Sequence, residues 1–305
     1  MKRFLERLRP GRKIDANSAV LLPFTREGKP DPDAFLEHLL WTAKAGITPA
    51  VNMDTGFGPQ LTPAQRVEIL VQTRKALGSA PFIAGAGPFG ETYEEAVRSV
   101  LEVGAIPILF QSDQFAQGDV VARYRKILQP CPKALAFELG TMFAPFGRIY
   151  DLETWKRLLE IPNLVGAKHS SLSRLQELER LELRDRLRPD FKVYTGNDLA
   201  IDMVMYGSDY LLGISTFDPP AFALRDRWWA EGDPRFFELN DALQALGAVA
   251  FREPVPAYKD SAAAYLKLTG RMKDPAVHPA CPRRPVWEAE LLAPLARKIK
   301  EACSR

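Results

Sequence analysis

Cysteine and histidine are scarce in this chain, with three of each among 305 residues. Cys131, Cys281 and Cys303 are odd in number and show no C-x-x-C spacing, which argues against a disulfide framework and against a cysteine-rich zinc site. This usage fits a reducing cytoplasm. Charge is nearly balanced, 41 Lys and Arg against 38 Asp and Glu. With no basic stretch interleaved with aromatics, nucleic acid is not an expected partner. No apolar run is long enough to cross a membrane. The basic segment 1–16 carries Lys2, Arg3, Arg7, Arg9, Arg12 and Lys13 without the apolar stretch of a secretory signal. It reads as a solvated tail, the alternative being that Phe4, Leu5 and Leu8 pack on the body or on a neighbouring subunit. Neither G-x-G-x-x-G after the first strand nor G-x-x-x-x-G-K-[ST] occurs, which counts against a doubly wound nucleotide-binding sheet.

What is present is a rhythm. Short apolar runs alternate with amphipathic ones: Ala19 to Pro23 then Asp33 to Ala45, Pro49 to Asn52 then Pro63 to Leu77, Phe82 to Gly85 then Glu91 to Val103, Ile106 to Phe110 then Asp119 to Leu128. It continues with Ala134 to Glu138 and Leu152 to Leu159, Leu164 to Lys168 and Leu172 to Leu183, Lys192 to Thr195 and Leu199 to Tyr206, and Tyr210 to Ile214 before a helix after Pro220. Eight βα units predict a TIM (β/α)8 barrel over 17–232, whose strands read as buried runs because helices cover the outside. Thr62-Pro63 and the pair Thr92 and Glu95 are helix-start signals in register with it. A C-terminal helical extension over 233–305 follows, with segments near Phe236 to Ala248, Tyr258 to Leu268 and Val286 to Ala302. The proline-rich stretch Pro275 to Pro285 interrupts it.

On such a barrel the polar residues at strand ends share one mouth: Asp54 and Thr55, Glu138, Lys168, Asn197 and Asp198, Ser215 and Thr216. The informative one is Lys168. A lysine ending a buried strand either reaches solvent, pairs with an acid, or loses its charge and becomes a nucleophile.

The residues resemble the pyruvate-dependent class I aldolases typified by dihydrodipicolinate synthase and N-acetylneuraminate lyase. The likeness runs through Leu21-Leu-Pro-Phe-Thr-Arg-Glu-Gly28, Ile83-Ala-Gly-Ala-Gly87, Thr92-Tyr-Glu-Glu-Ala96 and Pro162-Asn-Leu-Val-Gly-Ala-Lys168. Thr195-Gly-Asn-Asp198, Gly213-Ile-Ser215 and Glu253-Pro-Val-Pro-Ala-Tyr-Lys259 extend it. The resemblance implies a Schiff base between Lys168 and a 2-oxo acid such as pyruvate. It places the substrate carboxylate at Thr55 and Gly56 and at the Gly213–Ile214 loop, with Arg148 as a further carboxylate partner. It also implies a lyase, aldolase or dehydratase without an organic cofactor, and a homo-oligomer, dimer or tetramer.

The departures fall on the proton chemistry. The family motif G-[TS]-T-G-E appears as Met53-Asp-Thr-Gly-Phe57, and tyrosines are missing from Ile108-Leu-Phe-Gln-Ser112 and Phe137-Glu-Leu139. Activity as a dihydrodipicolinate synthase or a sialic-acid lyase is therefore not expected. Asp54 and Glu138 are the expected substitutes for the relay, since a buried carboxyl can carry a proton near neutral pH. Two other readings stand beside this one. In the first, Asp54, Glu138 and Asp198 hold a divalent metal, with His169 nearby but directed away from the barrel interior. In the second, the barrel binds a 2-oxo acid without turning it over.

Overall fold

A computed structural model describes residues 2–115 and 118–305; Met1, which opens the basic segment, lies outside them. Strands β1 (Ala16–Ala19), β2 (Thr48–Val51), β3 (Ile83–Ala86) and β4 (Ile106–Leu109) are followed by β5 (Ala134–Leu139), β6 (Leu164–Ser170), β7 (Lys192–Thr195) and β8 (Asp209–Leu212). They close in sequence order into a parallel barrel, β8 pairing with β1. The chain is a TIM barrel, and three further helices, Arg235–Ala250, Tyr258–Leu268 and Glu288–Cys303, form its C-terminal extension.

Local chemistry sets the helix starts. Thr62 Oγ1 accepts from Gln65 N at 3.3 Å while Gln65 Oε1 accepts from Thr62 N at 2.9 Å. Thr92 and Glu95 repeat this reciprocal cap at 3.2 and 2.8 Å. Each N-cap is worth about 1 kcal/mol, enough to fix where the helix begins but not enough to build it. Packing builds it, in two separate cores. Ala50, Ile83, Ile108, Leu135 and Leu211 fill the barrel interior. Residues such as Val51, Ala84, Ala136 and Leu212 face outward into the larger cluster under the helices.

Three expectations are corrected. The first strand is Ala16–Ala19 rather than the apolar run after it, because Asn17 and Ser18 are buried with hydrogen-bonding partners, the Asn17 amide donating to Tyr210 O at 3.1 Å and the Ser18 hydroxyl accepting from Ser215 Oγ at 2.8 Å. The helix expected after β7 is only a 3-10 turn, Ile201–Tyr206. Its first amide is taken by Gln244 Oε1 at 2.9 Å, and left-handed Gly207 ends it before β8. The basic segment is not a solvated tail. Phe4 packs edge-on against Tyr206 at 5.1 Å, Arg7 pairs with Asp185 at 2.8 Å, and Arg12 pairs with buried Asp209 at 2.6 Å. It packs on the helix layer beside β7 and β8, with Arg12 also bound to the carbonyls of Val204 and Ser208 just before β8.

The glycines of β3 and its end decide how near the loops approach. A Cβ on Gly85 would lie 2.3 Å from Asn52 O and 2.7 Å from the Phe110 ring, and one on Gly87 would lie 2.5 Å from the Phe89 ring. Gly85→Ala is therefore expected to destabilise the protein by about 1–3 kcal/mol, the usual cost of forcing volume into a packed interior. The midpoint of urea unfolding, read at unchanged slope, checks this.

Candidate active site

Strand alternation decides which side chains meet. In the β5–β6 pairing Phe137 lies opposite Lys168 and Glu138 opposite His169. Successive residues face opposite sides of a sheet, so Phe137 and Lys168 point into the barrel while Glu138 and His169 point into the helix layer. Lys168 ends in a cavity of about 310 Å³ at the C-terminal face, near the lower limit of ligand pockets, ~300–1,000 Å³.

Lys168 is 8% exposed, its Nζ lying 4.6 Å from the centroid of the Phe137 ring. Gly196 gives its stem room: a Cβ there would stand 2.5 Å from Lys168 Cε and 2.1 Å from Ser170 Oγ. Burial depresses the lysine pKa below its ordinary 10.5, and the opposing pull of Asp198 and Asp54 does not restore it. Burial likewise raises Asp198 to about 6, against the pull of Lys168 and the backbone donors around it. Asp198 Oδ1 accepts the Ile214 amide at 2.7 Å. Its own carbonyl is held by Gln244 Nε2 at 3.2 Å, and Gly247 lets that helix approach, since a Cβ would be 2.6 Å from the same oxygen.

Across the cavity, Asp54 and Thr55 lie in a 3-10 turn after β2, tied to the C-terminal extension. Tyr258 OH donates to Asp54 Oδ2 at 3.2 Å and lies 2.8 Å from Thr55 Oγ1. A phenol has one proton, so with it given to the carboxylate the Thr55 hydroxyl is the donor in the second contact. Lys259 Nζ pairs with Asp54 Oδ2 at 3.0 Å. Burial alone would raise the Asp54 carboxyl, but Lys259, with Tyr258 and Lys168 adding to it, holds it below the ordinary value. The Asp54 side chain is 49% exposed, so solvent screens this pairing. Phe57, standing where the family carries an acid, is buried in a left-handed conformation under Lys259 Nζ, 5.0 Å from its ring. His278 stacks on that ring at 5.6 Å.

The fold therefore brings together Lys168, Asp54, Thr55, Gly213 and Asp198. It does not bring in Glu138. That carboxylate is 1% exposed and accepts from Tyr150 N at 2.8 Å, Trp155 Nε1 at 2.7 Å and Arg180 Nε at 3.1 Å, with His169 Nδ1 at 2.5 Å. It locks β5 to the helix layer, and of Phe137-Glu-Leu139 it is Phe137 that faces the lysine. Arg148 is exposed and absent from the cavity wall, its main chain held by Gln111 on both sides. Gly56 and Ile214 lie behind the wall; a Cβ on Gly56 would meet Val20 O at 3.1 Å, and the Ile214 amide is committed to Asp198. Ser215 and Thr216 turn toward Ser18 and His38 instead. The metal reading fails on the same alternation, because Glu138 cannot join Asp54 and Asp198. Among the described residues no group of three or more His, Cys, Asp and Glu gathers for a metal.

Tyr258 and Phe251, from the extension, belong to the site and were not assigned to it from the sequence. Their rings stack at 4.3 Å and rest on Gly213, where a Cβ would lie 3.2 Å from Tyr258 and 3.3 Å from Phe251. The signal for Tyr258 was the segment Glu253-Pro-Val-Pro-Ala-Tyr-Lys259, whose resemblance to the family was visible without a role attached.

The chain is similar to 4-hydroxy-tetrahydrodipicolinate synthases. It is 29% identical to that of Kosmotoga olearia over 205 residues, 65% of this chain and 69% of the relative. It is also 29% identical to that of Parvibaculum lavamentivorans over 265 residues, 82% of this chain and 87% of the relative. These are members of the family that the sequence motifs resemble. No protein-family model matches it. In fold it resembles an E. coli prophage protein of the dihydrodipicolinic acid synthase family, solved in complex with pyruvate, at TM-score 0.83 and 16% identity, covering 94% of this chain and 98% of that one.

Removing Glu138 separates a structural from a catalytic role. Glu138→Ala leaves the Arg180 guanidinium buried without its partner and is expected to cost about 3–5 kcal/mol by denaturant unfolding at neutral pH. Although burial opposes it, His169 and Arg180 hold this carboxyl below its ordinary 4.5. Its contribution is thus fully present above that pH and lost as pH falls through the folded value, so wild type and variant should converge in acid.

Proposed function

We propose that this chain is a class I aldolase-type lyase that forms a Schiff base between Lys168 and the ketone of pyruvate or another 2-oxo acid. The observation that carries the reading is a single buried amine at the end of β6, facing a cavity at the C-terminal face of the barrel, with burial outweighing two nearby carboxylates. A neutral amine attacks a ketone; an ammonium does not. The similarity to named 4-hydroxy-tetrahydrodipicolinate synthases supports the same reaction class.

In this reading the Lys168 amine adds to the ketone carbon, and the carbinolamine loses its oxygen as water to give the iminium. Asp198, with its carboxyl near 6, accepts and returns the protons these steps release and require. Loss of a proton from carbon 3 then gives the enamine that makes a carbon–carbon bond. Thr55, Tyr258 and Asp54 form a hydrogen-bonded chain to the solvent side, in the place the sequence suggested for Asp54 and Glu138. The Thr55 proton, given to Tyr258 in the unliganded site, turns to the substrate carboxylate on binding.

Two measurements test this without a second substrate. Borohydride reduction in the presence of pyruvate is expected to add one carboxyethyl group, the reduced pyruvate adduct, at Lys168, and Lys168→Ala is expected to abolish it; wild type left unlabelled by pyruvate and other 2-oxo acids sinks the reading. Exchange of pyruvate methyl protons in heavy water, followed by NMR, reports the enamine. Tyr258→Phe is expected to slow it on the order of 10²-fold, the usual scale of a lost acid–base group. Exchange should reach half its maximum below pH 10.5, the ordinary lysine value. Asp198→Asn, by removing an anion that favours the ammonium, should move the lysine titration lower still.

A further inference from the structure

The cavity has two unlike walls, and the second one bears on what the lysine-bound 2-oxo acid reacts with; the inference therefore rests on the Schiff-base reading. On one wall stand Lys168, Asp198, Asp54, Thr55 and Tyr258. The facing wall, from the ends and loops of β3, β4 and β5, is Phe89, Phe110, Phe137, Leu139, Phe143 and Phe146. Its rings interlock edge-on, Phe89 with Phe110 at 5.5 Å and Phe110 with Phe137 at 5.3 Å, and the last ring is the one beside Lys168. Gly85 and Gly87 seat the first two, since a Cβ on either would enter the ring it supports. The aromatic wall is thus continuous from the reacting amine to the rim.

Charge reinforces the asymmetry. Among the described residues lining the cavity Lys168 is the one basic side chain, and its nitrogen is taken up in the bond to the 2-oxo acid; the other ionisable groups with a charge to offer are the carboxylates of Asp54 and Asp198. A carboxylate, phosphate or polyol on the far end of a substrate would give up its hydration to phenyl rings and receive no cation in return. An aryl or alkyl group loses only unfavourable contact with water.

We propose that the second substrate is an aldehyde bearing an aryl or unbranched alkyl group, joined to pyruvate as a 4-hydroxy-2-oxo acid with that group on carbon 4. In the condensing direction the enamine carbon 3 attacks the aldehyde carbon, the carbonyl electron pair becomes an alkoxide that takes one proton, and water hydrolyses the iminium to free Lys168 and the product. Cleavage is the reverse. The carbon 4 hydroxyl gives up a proton, the bond between carbons 3 and 4 breaks into the enamine, and the aldehyde leaves.

The full chain is assayed with pyruvate and, in parallel, benzaldehyde, pentanal, glyoxylate and glyceraldehyde, with borohydride trapping of pyruvate at Lys168 run on the same preparation. Expected is trapping, together with kcat/KM for benzaldehyde and pentanal on the order of 100-fold above those for glyoxylate and glyceraldehyde, the scale on which an apolar pocket discriminates. Phe146→Arg, which sets a guanidinium in the apolar wall, is expected to lower the benzaldehyde-to-glyoxylate ratio by about 10-fold while trapping persists. Trapping with equal or better use of the polar aldehydes, or with use of none of the four, overturns the inference and leaves the Schiff-base reading standing. Absence of trapping overturns both.

Discussion

A parallel strand in a closed barrel sends alternate side chains into two different interiors, and in this chain both interiors hold ionisable groups. The same two-residue period that delivers Lys168 to the cavity delivers His169 to the helix layer, and one strand away it separates Phe137 from Glu138. Each half then has its own electrostatics. Outside the barrel, Glu138 is surrounded by donors from Tyr150, Trp155, Arg180 and His169, and the carboxylate is held ionised. Inside, Lys168 meets a phenyl ring and two carboxylates, and burial prevails over attraction. A one-residue register slip between β5 and β6 would exchange these environments, which is why the buried Glu138 cluster bears on the site without touching it.

The contest at Lys168 is decided by position more than by count. Asp54 is half exposed and already bound to Lys259 and Tyr258, so its charge is largely answered before it reaches the lysine. Asp198 is buried and nearer in effect, and it pays for that with a carboxyl pushed up to about 6. Amine and acid are thus both shifted toward their neutral forms by the same loss of water. Such a pair suits a cycle in which a proton is repeatedly lent and returned.

The C-terminal extension is part of the site rather than an appendage to the barrel. Tyr258 and Phe251 lie on Gly213, Lys259 fixes Asp54, and Gln244 holds the loop that carries Asp198. The ends and loops of β3, β4 and β5 supply the aromatic wall opposite.

Much was legible in the sequence because it depended on local repetition. The alternation of apolar and amphipathic runs determined eight βα units, Thr62 and Thr92 marked helix starts, and a lysine closing the run Leu164 to Ala167 indicated the strand end that matters. The first strand was misplaced because its buried polar residues find partners only on β8 and the turn after it, 193 and 197 residues away along the chain, and Glu138 was placed in the mouth because a strand's facing depends on its register with neighbours. Tyr258 was beyond reach for a related reason: it lies 203 residues from Thr55 along the chain, and only folding brings the two hydroxyls within 2.8 Å. The sequence by itself determined the barrel, its extension and the lysine at the end of β6, since these follow from short-range patterns of burial. Only the tertiary structure decided which carboxylates surround that lysine and that half its cavity is aromatic, since both depend on the direction each side chain takes once the barrel has closed.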